Sequence, residues 1–111
     1  MIFMAGELEA LLNEMKGKGI GGAILRVDGV PVTSTMAINE TTSGLISSVV
    51  NISDAMMKKN NDTQNQLELS FDEQTLVMIP VNNHIFCGMV KDKDDKKTVM
   101  EYAEKAKPFL K

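Results

Sequence analysis

Two consecutive apolar runs, TLVMIPV (75–81) and HIFCGMV (84–90), limit what this chain can fold into more than any other feature. A strand with one wet face alternates apolar and polar residues, but these runs are apolar on both faces. They therefore lie in the middle of a sheet that has helices above and below it. Asn82-Asn83 between them reads as a tight hairpin turn, which makes the pair antiparallel. A chain of 111 residues is read as one domain, 1–111, with room for one sheet and its cover.

The flanking segments supply that cover. Met4, Leu8, Leu11 and Met15 repeat at helical spacing and predict an amphipathic helix from Ala5 to Lys16. GKGIGG (17–22) follows and spells G-x-G-x-x-G. A dinucleotide site needs a strand before these glycines and a helix after them, so that N–H groups meet the pyrophosphate. Here a helix precedes and a strand follows, so the glycines read as a helix stop and not as a nucleotide site. GAILRV, then Asp28-Gly29, then VPVTSTM predict a hairpin with a type I′ turn, and Pro31 places its second strand at a sheet edge. Asn39 to Ser43 offers helix caps, and a helical pattern runs on to about Asn60. Leu67, Leu69 and Phe71 alternate with polar residues as a half-buried strand. KDKDDKK (91–97) reads as a solvated loop, with Asp94 or Asp95 capping a last helix. That helix carries Val99, Ala103, Ala106 and Leu110 and ends or bends near Pro108. The expected fold class is α/β of α+β type, in the order α-β-β-α-β-β-β-α. It is a three-layer domain with a five-stranded antiparallel sheet, helix 2 on one face and helices 1 and 3 on the other.

The middle helix is over-supplied with apolar surface. Leu45, Val49, Ile52 and Met56 form one line, and Ile46, Val50 and Met57 form a second about 100° away. The resulting arc of about 160° exceeds the roughly 100° that one sheet covers. Two or three large side chains, worth about 5 kcal/mol on burial, stay uncovered in a monomer. A symmetric dimer with helices side by side would cover them, as would a loop or the last helix.

Chemistry is sparse. Cys87 and His84 are the single thiol and the single imidazole, and their odd spacing in a strand puts them on opposite faces. Cys87 reads as a buried small hydrophobe and His84 as solvent-facing or locally hydrogen-bonded. Neither a zinc set nor a calcium loop is spelled, since Lys97 and Ala103 fall where an EF-hand from Asp92 needs Gly and Glu. No base stands ready to activate a serine, and no cofactor is expected. The net charge of -3 with Arg26 as sole arginine argues against nucleic-acid binding. No apolar run suits a membrane span, the start reads as no signal peptide, and one cysteine suits a cytoplasmic protein.

The hairpin GGAILRVDGVPVTSTM, the helix ISSVVNISDAMMKK, the strands LELSFDEQTLVMIPVNNHIFCGMV and the helix VMEYAEKA resemble, in order and spacing, a roadblock-family domain. That fold occurs in roadblock-type dynein light chains and bacterial GTPase co-regulators, and profilin and longin domains share the layering. The resemblance implies a non-enzymatic dimer that pairs its second helices and joins its third strands across a two-fold. Here the seam would use Leu45, Ile46, Val49, Val50, Ser53, Met57, Leu67 and Leu69. Family dimers, of one chain or of two roadblock-type chains, bind small Ras-like GTPases. Ser47, Ser48, Asn51, Asp54 and Lys58 would form the outward contact face. Arg26, beside a turn, is not expected to act as an arginine finger. A structural adaptor that binds no GTPase is the alternative, and a small-molecule sensor with an apolar pocket is a third reading.

Overall fold

The computed structural model describes residues 5–110. Met4, the first residue of the predicted helical stripe, lies outside them. The elements are α1 (Ala5–Gly17), β1 (Gly21–Arg26), β2 (Pro31–Ser34), α2 (Glu40–Lys59), β3 (Leu67–Ser70), β4 (Thr75–Val81), β5 (His84–Val90) and α3 (Lys93–Ala106). A short 3-10 turn, Lys107–Phe109, holds Pro108 directly after α3. The sheet runs β2-β1-β5-β4-β3, with every neighbouring pair antiparallel. The two all-apolar runs are adjacent inner strands, and β5 is central, as residues without a polar face require. β2 lies at one edge, where the missing N–H of Pro31 breaks no inner ladder.

α1 and α3 share one face and α2 covers the other. Leu8, Leu12 and Met15 join Val99, Tyr102, Ala103 and Leu110 over Ile24, Val77 and Phe86. Ile46 and Val50 of α2 pack on Ala23, Leu25, Met78, Ile85 and Cys87. Gly22 and Gly88 are cross-strand partners, and the two helices of the first face rest on them. A Cβ on Gly22 would stand 2.5 Å from Met15 Cε, and one on Gly88 2.5 Å from Val99 Cγ2.

Several local expectations change. The Asn82-Asn83 turn has positive φ at both residues (43° and 62°), as a type I′ hairpin demands. The Asp28-Gly29 turn does not: only Gly29 takes positive φ (95°). Its N–H donates to Arg26 C=O (2.9 Å), closing a three-residue loop, Val27 to Gly29, which aims its carbonyls at α2. α3 begins earlier than expected, with Asp92 at its N-cap. Asp94 and Asp95 occupy its first turn, where carboxylates offset the helix dipole, so KDKDDKK is mostly helix. His84 is not solvent-facing. It is buried, with Nδ1 2.8 Å from Asn82 O, so the local hydrogen bond is the part of that reading that holds.

Candidate functional site

α2 carries the features that bear on function. Asn39 caps it, with Oδ1 accepting the Thr42 N–H at 2.8 Å, and Lys58 and Lys59 occupy its last turn. A polar row at helical spacing then binds the β1–β2 loop. Ser43 Oγ donates to Gly29 O (2.7 Å), Ser47 Oγ to Val27 O, and Asn51 Nδ2 to the same carbonyl (2.9 Å). This changes the expected outward face. Ser47 is buried, and Asn51, though exposed, is tied to the hairpin. Ser48 bonds back to Gly44 O (3.0 Å), and Asp54 pairs with Lys58 one turn on (2.9 Å). Of the five predicted contact residues, Ser48, Asn51 and Lys58 are exposed, Asp54 is part-exposed and Ser47 is buried.

The apolar arc divides. Ile46 (6% exposed) and Val50 (3%) are spent in the core of their own chain. Leu45, Ile52 and Met56 stand 63, 62 and 62% exposed, with Met57 exposed and Val49 and Ser53 part-buried. Among the described residues no loop covers this stripe, and α3 lies on the far face. β3 is the second edge of the sheet, with Leu67 partly buried and Leu69 and Phe71 exposed on the α2 side. An apolar hollow of about 520 Å³ lies between helix and strand, walled by Leu45, Val49, Leu69, Phe71 and Met89 and floored by Ile46 and Leu76. The structure thus brings Leu45, Val49 and Leu69 to one patch. Ile52, Met56 and Phe71 belong beside them, and the arc geometry already contained the first two.

Reactive groups are few and separated. Cys87 is buried on the α2 face, where burial pushes its thiol up to about 12. His84 shares the other face with its cross-strand partner Val81. Arg26 pairs with Asp28 (2.9 Å) at the hairpin. Among the described residues no cluster of His, Cys, Asp and Glu could hold a metal ion, and no helix is long and apolar enough to cross a membrane.

An open five-stranded antiparallel sheet in this order, with one long helix on one face and two on the other, matches the roadblock/profilin-like fold. No protein-family model matches the sequence, and no curated protein matches it. Solved structures do match in three dimensions. MglB of Myxococcus xanthus matches with TM-score 0.81 at 10% identity, over 97% of this chain and 90% of that one. A Roadblock/LC7 domain from Streptomyces avermitilis matches with TM-score 0.78 at 9% identity, over 93% and 97%. Profilin IB of Acanthamoeba castellanii matches with TM-score 0.69 at 13% identity, over 91% and 97%. Likeness at these identities is a likeness of fold.

Proposed function

We propose that this chain is a non-enzymatic regulator or scaffold that pairs through α2 and β3, with a second copy or another roadblock-type chain. The pair presents its helices to a small Ras-like GTPase. The observation that carries the reading is the uncovered stripe Leu45-Ile52-Met56, which continues across an apolar hollow onto the edge strand β3. Burial of three such side chains per chain is worth about 5 kcal/mol, enough to favour a partner over water. A free edge supports the same reading, because unpaired N–H and C=O groups template another strand. The roadblock fold of the matched structures supports the regulator class.

Light scattering over a dilution series tests the pairing, with a mass of twice the 12.2 kDa chain expected. Binding to nucleotide-loaded Ras-like GTPases, read by fluorescence anisotropy, tests the partner. A dimer that binds none would favour the adaptor alternative. If hydrolysis is stimulated, Arg26→Ala is expected to leave the stimulation in place, since Asp28 already engages that guanidinium. Loss of stimulation with dimer and binding intact would overturn that part.

A further inference from the structure

β3 is the edge through which the proposed pairing runs, and the part assigned below to its charged residue rests on that reading. Of its four residues, Glu68 is the charged one. A charge on an edge strand ordinarily keeps other edges away. Here both carboxylate oxygens are engaged from within the chain. Lys96 Nζ of α3 lies 2.8 Å from Oε1, with both side chains about two-thirds buried (33% and 31% exposed). Gln66 Nε2 donates to Oε2 at 2.7 Å. Glu68 opposes Val77 on the α1/α3 face, whereas Leu67 and Leu69 turn to the α2 side.

Symmetry decides where a second Glu68 would fall. Directly opposed residues of an antiparallel pair point to the same face. Two copies can place both α2 helices on one side of a joined sheet only when the two-fold passes through a residue pair. An axis at Glu68 sets the two carboxylates directly opposite, about 4.5–5.5 Å apart at Cβ. An axis at Leu69 sets Glu68 against Ser70 and leaves the two carboxylates diagonal, at about 7–8 Å. Both distances fall within the ~8 Å Debye length of physiological salt, so bare carboxylates would repel in either register.

We infer that Lys96 is the residue that makes this edge self-compatible. Its ammonium cancels the Glu68 charge on the strand and draws the carboxylate towards α3. The occupant it selects is therefore a second copy of this chain. Without it, the strand would favour a partner whose edge brings a cation.

The dissociation constant of the full chain, measured by sedimentation at low ionic strength, tests this. Lys96→Ala is expected to weaken self-association about fivefold, an effect that shrinks as salt is added. Adding Glu68→Gln to Lys96→Ala is expected to restore wild-type affinity within about twofold. The swap Lys96→Glu with Glu68→Lys keeps the pair and is expected to do the same. If Lys96→Ala fails to fold, Lys96→Gln, which keeps the side chain's length without its charge, carries the test and is expected to weaken pairing to the same extent. A folded Lys96→Ala or Lys96→Gln with wild-type affinity overturns the inference and leaves the pairing reading standing. A wild-type chain that stays monomeric overturns both.

Discussion

Ile46 and Ile52 are the same residue type on the same helix, yet the fold leaves one 6% and the other 62% exposed. Truncating each to alanine removes the same three carbons. For Ile46 the transfer term is about 2.4 kcal/mol at ~0.8 per methylene, and the cavity left against Leu25 and Ile85 raises it to about 3–4. At about 4 °C per kcal/mol for a chain of this length, the melting midpoint should fall by about 12–16 °C. For Ile52 the side chain is already wet in the single chain, so protomer stability should stay within about 0.5 kcal/mol. Its effect falls on association instead. A two-fold counts the change twice, so about 4 kcal/mol is lost, or about a thousandfold in dissociation constant. Urea melts at concentrations below association, paired with light scattering above it, separate the two. Equal destabilisation of the dilute chain by both variants would mean that Ile52 is buried within its own chain. An unchanged dissociation constant in Ile52→Ala would place the seam elsewhere. Either result refutes the division of α2 into a core line and a free stripe.

Gly88→Ala should destabilise by about 1–3 kcal/mol in denaturant melts, because its Cβ meets Val99, and Val99→Ala in the same chain should recover part of the loss. Asn83, at φ 62°, should accept glycine with little change, whereas Asn83→Ala should cost about 1 kcal/mol by the same melts. Cys87 should resist maleimide until the chain is unfolded. Its folded pKa is raised from 9.0 to about 12 by burial, so its contribution is complete below pH 9. Above that the unfolded thiol ionises and the folded one does not, so stability should fall by about 1.4 kcal/mol per pH unit up to about 12. Cys87→Ala should lack that slope in melts compared at pH 8 and pH 10.

The layering was legible because it follows from which faces can be wet. Runs without a polar face, as in β4 and β5, have no place in a sheet but its interior, and Pro31 has none but an edge. The reversed context of GKGIGG was legible for the same reason, since the order of helix and strand decides it. What escaped was polar and long-range. Ser43, Ser47 and Asn51 form a row at helical spacing, but a serine row on a helix gives no sign of the carbonyls it meets until the hairpin is placed. The Val27–Gly29 loop follows from that meeting, so the Asp-Gly signal alone pointed to the wrong turn. Glu68 and Lys96 are far apart in the chain and join only when α3 crosses behind β3. Tyr102, buried with the Lys18 and Lys105 ammoniums 5.1 and 4.7 Å from its ring centre, is a contact of the same kind. Periodicity reports which side of an element is apolar; it is silent on which polar groups meet across elements.

The position of the candidate seam follows from the clasp. Around α2, with Ile46 at zero and 100° per residue, the core pair Ile46 and Val50 spans about 0–40°. The clasp residues Ser43, Ser47 and Asn51 span about 60–140°, and the free stripe Leu45, Val49, Ile52 and Met56 about 240–300°. Clasp and stripe therefore flank the core line on opposite sides. Three hydrogen bonds to Val27 and Gly29 carbonyls draw the helix toward the β1–β2 hairpin, and Gly29 lets it come close, since a Cβ there would stand 3.2 Å from Gly44 Cα. A helix held toward β1 leaves Leu69 and Phe71 on the β3 side uncovered. The 520 Å³ hollow runs from Gly21, Met36 and Ile38 past Leu76 to those two residues, bordered by Leu45 and Val49 of the stripe. Exposed helix stripe and hollow thus lie on the far side of a helix held off-centre, next to the edge that the sheet order leaves free. A partner that fills the hollow meets all three at once and displaces no contact that holds the protomer together.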